Sequence, residues 1–346
     1  MIIRKLKRIT ILLIVLLLLL SSCSNAEGLR VVNINIFKNT EAWNLAVAVK
    51  NQDVKKIKKI ADKNPELLNV QAPYHRVTLL IWSVGMEKYD SAEALLKCGA
   101  DPNFIADGRE LYIQEAEKAI ERDDWKWFPN APKPYCGTTA LYIASGYSWI
   151  DTQAKKDPRY VTLLLEYGAD PNICFTEGIG YFDYPEGHRQ FYGTEVGRSP
   201  LMNSIGCSLE KTKALVEAGA DINNKTESGS TAAIQALGGV NVTIERRQYA
   251  HYLIVEKKAN IADPYYTPRY LSLTFPDDDI KTHYPVDLLR QWIPRLGSEE
   301  HKMKMEIVEE FARQGVDYWA TEVPEERLEQ IKKLYPDTWE DYITKY

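Results

Sequence analysis

Few residues of this 346-residue chain are arranged for metal or acid–base chemistry. Five histidines, His75, His188, His251, His283 and His301, are scattered, and no C-x-x-C pair occurs. A zinc site needs several such ligands brought close, so no metal is expected. Asp277-Asp278-Asp279 lacks the spaced oxygen ligands and the glycine of a calcium loop and reads as a solvated acidic turn. His188 lies beside Arg189 in a Gly/Tyr-rich stretch with no partner base or nucleophile, and reads as a surface-loop histidine. There is no G-x-S-x-G elbow, no phosphate-binding G-x-x-x-x-G-K-[ST] loop, no H-E-x-x-H helix and no G-x-G-x-x-G turn. No catalytic residue and no cofactor is expected.

The chemistry that remains is recognition by aromatic side chains. They crowd three stretches. Residues 104–136 hold a helix expected over 110–122, then Trp125 and Trp127, then Pro129, Pro132 and Pro134. Residues 174–196 hold Tyr181, Tyr184 and Tyr192 with Phe182 and Phe191 among glycines, and residues 261–281 hold Tyr265, Tyr266, Tyr270 and Phe275. Tyr and Trp offer large contact area at small ordering cost, which is why they dominate binding hot spots. Trp125, Trp127, Tyr181, Tyr184 and Tyr192 are the candidate partner contacts. A long loop also needs anchors, so about half of the aromatics are expected to pack down instead.

The elements that hold these stretches are written as a repeat. Gly99-Ala100-Asp101-Pro102-Asn103, Gly168-Ala169-Asp170-Pro171-Asn172 and Gly219-Ala220-Asp221-Ile222-Asn223 are three copies of one phrase, each after an apolar helical run. Glycine there stops a helix in the left-handed conformation, and Asp or Asn then organises a turn. A second phrase precedes each copy and recurs after the last: Thr78-Leu79-Leu80, Gly137-Thr138-Thr139-Ala140-Leu141, Gly197-Arg198-Ser199-Pro200-Leu201 and then Gly229-Ser230-Thr231-Ala232-Ala233. Its Thr or Ser can cap the first helical turn, where proline also fits. The two phrases together resemble the ankyrin signature, with its histidine replaced throughout. Thr78 to Gly99 is 21 residues and Gly219 to Thr231 is 12, which sum to the 33-residue ankyrin period.

The resemblance implies an all-α, ankyrin-type helical repeat solenoid of about six repeats over residues 40–320, with short β-hairpin fingers. Longer spacings elsewhere mark insertions at 104–136, 147–160, 174–196 and 261–281. The largest fall where such repeats project a finger. A degenerate first repeat is expected at Trp43 to Ala61, and decayed ones end at Lys258-Ala259-Asn260 and Gly315-Val316-Asp317, since terminal repeats cap the stack. Residues 321–346 read as capping helices with Leu328, Ile331 and Leu334 facing the last repeat. The apolar residues of the repeat helices are core rather than site.

The N-terminus sets the expected location. Arg4, Lys5, Lys7 and Arg8 precede an apolar run over residues 9–20, too short to span a bilayer and suited to a signal-peptide core. Leu20-Ser21-Ser22-Cys23 follows and resembles a bacterial lipobox. The resemblance implies a signal peptide over 1–22, lipidation of Cys23 by acyl chains such as palmitate, and a tether over 23–39. It places the chain in the bacterial envelope, on the outer membrane facing the periplasm in a host with two membranes. The whole chain carries a net charge of -5, and removing the signal's four basic groups leaves -9. An acidic body argues against nucleic acid and for a protein partner with a basic patch. Export permits a disulfide. Cys136 and Cys174, where adjacent fingers begin, are the candidate pair, with separate thiols the alternative. The expected function is a membrane-anchored, non-enzymatic protein that binds another envelope protein, one version being an immunity-type inhibitor of an envelope-active toxin. The alternative is a small-ligand receptor or enzyme built from the aromatic insertions.

Overall fold

The computed structural model describes residues 30–122, 135, 137–176, 180–183, 189–192, 195–238, 244–267 and 281–346. In chain order the first helices are Trp43–Lys50 (α1), Val54–Ala61 (α2), Leu79–Gly85 (α3), Tyr89–Lys97 (α4) and Arg109–Glu121 (α5). Next come Ala140–Ser145 (α6), Arg159–Glu166 (α7), Pro200–Ser204 (α8), Leu209–Glu217 (α9), Ala232–Leu237 (α10) and Ile244–His251 (α11), which continues as the π-helical turn Tyr252–Glu256. Pro285–Arg290 (α12), Glu299–Arg313 (α13), Glu325–Leu334 (α14) and Trp339–Ile343 (α15) complete the series. Two short antiparallel hairpins join Gly180–Asp183 (β1) to Arg189–Tyr192 (β2), and Tyr265–Tyr266 (β3) to Thr282–His283 (β4).

Six helix pairs stack in two rows. The first helices α1, α3, α6, α8, α10 and α12 pack in sequence against one another, and so do the second helices α2, α4, α7, α9, α11 and α13. No pair could bury its apolar faces alone; stacking makes one continuous core that runs from Ile34 to Tyr318. The chain is an all-α, ankyrin-type helical repeat solenoid with short hairpins and long insertions.

Local chemistry explains the four middle pairs. The side-chain oxygens of Thr78, Thr139, Ser199 and Thr231 accept from the backbone N–H of Ile81, Tyr142, Met202 and Ile234 at 3.2–3.3 Å. Each thereby satisfies one of the free amides of a first helix. Gly99, Gly168 and Gly219 close the second helices at φ of +96°, +85° and +91°. A side chain there costs roughly 1–2 kcal/mol. In the decayed copy Lys258 accepts that conformation at φ +60°, and its amine reaches Glu310 at 2.9 Å.

The turn that follows each glycine is also a rung between repeats. Asp101, Asp170 and Asp221 accept from the backbone N–H of Asn103, Asn172 and Asn223 at 2.8–2.9 Å, which shapes the turn. Each asparagine then reaches forward. Asn103 Nδ2 donates to the Gly168 carbonyl and Asn103 Oδ1 accepts from Asp170 N–H, at 2.9 and 2.8 Å. Asn172 does the same to Gly219 and Asp221 at 3.0 and 2.7 Å, and Asn223 Oδ1 accepts from Asn260 N–H at 2.8 Å. The motif thus encodes a turn and an inter-repeat bond with one short phrase.

At the C-terminal end, Ile331, Tyr342 and Tyr346 form a small second core. Ile331 is buried there and Leu328 half-buried, but Leu334 is 62% exposed rather than turned inward. α14 ends at Leu334, and the stacked rings of Tyr342 and Tyr346 join Ile331 in the buried cluster instead.

Candidate functional site

The aromatic insertions share one point of attachment. Ala106 N–H donates to the Thr138 carbonyl at 3.0 Å, and Gly137 N–H donates back to Ala106 at 2.8 Å. Phe175 pairs with Arg198 and Gly197 in the same way, both bonds at 2.9 Å. Thr226 N–H donates to Ser230 at 3.0 Å, and Tyr265 lies opposite His283 across β3 and β4. Ala106, Phe175, Thr226 and Tyr265 each stand five residues after the turn residue Asp101, Asp170, Asp221 or Asn260. These necks close loops whose ends differ by 32, 23, 4 and 18 positions. Loop-closure entropy grows only with the logarithm of length, so lengthening a loop from about 4 to about 30 residues costs roughly 2 kcal/mol. The repeat can therefore carry a large finger without altering the stack beneath it.

Neighbouring necks bond to each other and form an edge. Tyr135 N–H donates to His75 at 3.0 Å, Glu227 N–H to Val196 at 3.1 Å and Tyr266 N–H to Ser228 at 2.7 Å. Salt bridges span the same junctions: Arg76 to Asp107 at 2.8 Å and Lys225 to Asp263 at 2.7 Å. The Arg76 guanidinium beside Asp107 holds that carboxyl below its usual range, with burial opposing.

The first-helix row is largely covered by the chain itself. Every residue of α3 and α6 is buried. Trp82 Nε1–H donates to the Val31 carbonyl at 2.9 Å, so the segment before α1 crosses α3. The Trp149 ring lies against Gly85, where even a methyl group would collide with it. Tyr135 packs on Trp149 with ring centres 4.9 Å apart, and Tyr142 faces Phe175 at 6.0 Å. Burial pushes the Tyr135 hydroxyl well above its ordinary pKa. These aromatics are anchors, not free contacts.

Of the candidate contacts, Trp125, Trp127 and Tyr184 lie outside the described residues. Tyr181 and Tyr192 fall on β1 and β2, in the adjacent rungs Tyr181–Phe191 and Gly180–Tyr192. In the third insertion Tyr265 stacks on His283 at 5.2 Å, while Tyr266 is 42% exposed. Tyr147 and Ile150, each 57% exposed in the segment between α6 and α7, are not among the residues expected to make contacts. Their signal was an apolar pair inside an insertion with no helical or strand period.

The cysteines hold back from chemistry. Cys174 is a free thiol that donates to the Asn172 carbonyl and the Asn224 side chain at 3.4 and 3.5 Å. Burial raises its pKa, as it does for the free thiols Cys98 and Cys207. Cys136 and the lipobox residue Cys23 lie outside the described residues. Among the described residues no group of His, Cys, Asp and Glu could hold a metal, and no helix is long and apolar enough to cross a membrane.

Two buried lysines tie repeats together. Lys155 Nζ donates to the Val84 carbonyl at 3.1 Å and Lys211 Nζ to the Ala144 carbonyl at 2.6 Å, each at the end of the preceding repeat's first helix. Ser91 Oγ makes the equivalent bond to Val49 at 2.7 Å. Burial lowers both lysines to about 8. Their amines are spent on structural carbonyls, which argues for a positional role rather than a nucleophilic one.

The sequence matches no protein-family model and no curated protein. Among solved structures it is similar to the crystal structure of an ankyrin repeat protein, at 18% identity and a TM-score of 0.46, over 80% of this chain and 99% of that one.

Proposed function

We propose that this chain is a lipid-anchored, non-enzymatic binding protein of the bacterial envelope that holds a protein partner with the aromatic insertions along its finger edge. The carrying observation is the set of equivalent necks: the stack stays regular while insertions of very different length leave it at one repeated position. Such an arrangement lets contact surface vary on a constant scaffold, which suits recognition better than chemistry. An immunity-type inhibitor that blocks an envelope-active toxin is the concrete version, and Cys23 is its anchor. The acidic body favours a partner with a basic patch and faster association at low salt.

The test is capture of an envelope protein by residues 24–346, followed by single substitutions of Trp125, Trp127, Tyr181, Tyr184 and Tyr192 to Ala. One or two should weaken binding by about 2 kcal/mol or more while the others change little. A partner whose affinity ignores all five would move the site off the insertions.

A further inference from the structure

The chain's negative charge is not spread evenly. Lys and Arg outnumber Asp and Glu by eight to four over residues 30–70, whereas residues 71–346 carry 31 against 43. Much of that excess is on one helix. α2 and the residue after its turn present Lys55, Lys56, Lys59 and Lys63, all exposed and none in an ion pair among the described residues. At about 100° per residue these four fall within roughly 100° of one another on the helical wheel. Ile57 and Ala61, fully or almost fully buried, occupy the opposite side. The lysines line an open hollow of about 890 Å³ floored by Ile60 and Leu67. Glu41, Asp53 and Glu66 share that hollow, but Asp53 is committed to capping α2 through the Lys56 N–H at 3.1 Å.

A terminal repeat needs only a polar outer face. Mixed charge would serve, and like charges four residues apart, as at 55/59 and 59/63, weaken a helix. Four lysines within about a quarter-turn of the helix, beside Glu41, Asp62 and Glu66, make a face more basic than capping requires. Its position suggests the reason. The first described residue is Arg30, and Ile34–Phe37 packs on α1, the other helix of the same repeat. Arg30 stands seven positions after Cys23, a reach of at most about 25 Å when fully extended. An acyl anchor at Cys23 keeps this end of the stack near the bilayer and lets the acidic repeats extend away from it.

We propose that the lysine face of α2 docks on anionic phospholipid headgroups of the membrane that holds Cys23, so that the stack stands on its first repeat with the finger edge free. The proposal rests on the reading of Cys23 as the anchor. Lysines near an anionic surface each strengthen binding about fivefold and lose that effect beyond a Debye length.

The test uses the full lipidated chain reconstituted in vesicles of phosphatidylcholine alone or mixed with phosphatidylglycerol, with amine acylation read residue by residue. Acylation of Lys55, Lys56, Lys59 and Lys63 should slow about fivefold or more on the anionic vesicles, and the slowing should vanish at about 1 M salt. Lys333, exposed on α14, should react equally on both. The triple change Lys55→Glu, Lys56→Glu, Lys59→Glu lies on exposed positions and should leave the melting curve intact while removing the salt-dependent difference. Equal rates on the two vesicle types overturn the proposal. So does slowing by a soluble polyglutamate peptide without slowing by anionic vesicles, which would assign the face to an acidic protein. Flotation with neutral vesicles reads the anchor separately; if it fails, the comparison of acylation rates still decides the lysine face.

Discussion

Asn172 shows how much one exposed side chain can hold. It bonds to Gly219 and Asp221 of the next repeat while its own N–H is fixed by Asp170. Asn172→Ala should cost about 1–2 kcal/mol, read as a lower denaturant midpoint with an unchanged slope. Asn172→Asp should be as costly, because it exchanges a donor to a carbonyl for a charge beside it. Lys211 makes the pH prediction. Its folded pKa, near 8, lies below the ordinary 10.5 because burial disfavours the charged amine, with nearby Lys155 adding to the effect. Above pH 8 the unfolded chain therefore binds more protons than the folded one, and stability rises with pH. Tyr160, raised to about 12 by burial, works in the opposite direction once pH passes 10. Stability should climb between about pH 8 and 10 and then fall. Lys211→Met should flatten the climb by no more than about 3 kcal/mol in total; an identical profile in denaturant titrations would show that Lys211 does not titrate in that range. The repeat phrase announced the caps and turns of these residues, but not their partners. Asn172 and Gly219 are 47 positions apart, and nothing local specifies which carbonyl an asparagine will reach.

At the scale of the element, the helix pair and its finger are separable. Leu164 of α7 is fully buried. Leu164→Asp should unfold the third repeat and its neighbours, since an unpaired buried charge costs several kcal/mol, and a melting curve like the parent's would reject the assigned core face. Replacing the segment between the neck residues Phe175 and Arg198 with a short glycine-containing turn tests the other half. The neck bonds remain, so the melting temperature should move by only a few degrees while partner capture falls. Loss of the stack would mean that the second insertion is structural. The aromatic stretches were legible in the sequence as insertions because they break the 33-residue period. Which aromatics anchor and which are free was not. Tyr135, Trp149 and Phe175 are separated by tens of residues from the surfaces they cover, whereas Tyr147 and Ile150 remain exposed.

For the whole molecule the governing quantity is nearest-neighbour stacking. Six pairs in two rows give a chain whose stability is close to a sum of repeat and interface terms. Damage should spread from a repeat to its neighbours rather than abolish all structure at once. The anchor belongs to this scale too. Cys23→Ala should yield unprocessed or soluble protein, checked by membrane fractionation and acyl labelling; unchanged fractionation would remove the lipid anchor from the account.

The architecture is written in the amino-acid sequence: the number of helix pairs, the caps of the middle ones, the glycine turns and the places where the period breaks. Each is written within a few residues, by the conformational preference of glycine, the capping oxygen of Thr or Ser and the spacing of apolar positions, and repetition turned weak local signals into a fold. The equivalence of the necks, the asparagine rungs, the lysines drawn onto carbonyls of the preceding repeat and the covering of α3 and α6 emerge only in the packed fold. These depend on which surfaces meet when repeats stack. A hydrogen bond or ring contact between residues tens of positions apart leaves no mark in either local sequence, because its geometry exists only after the helices between them have packed.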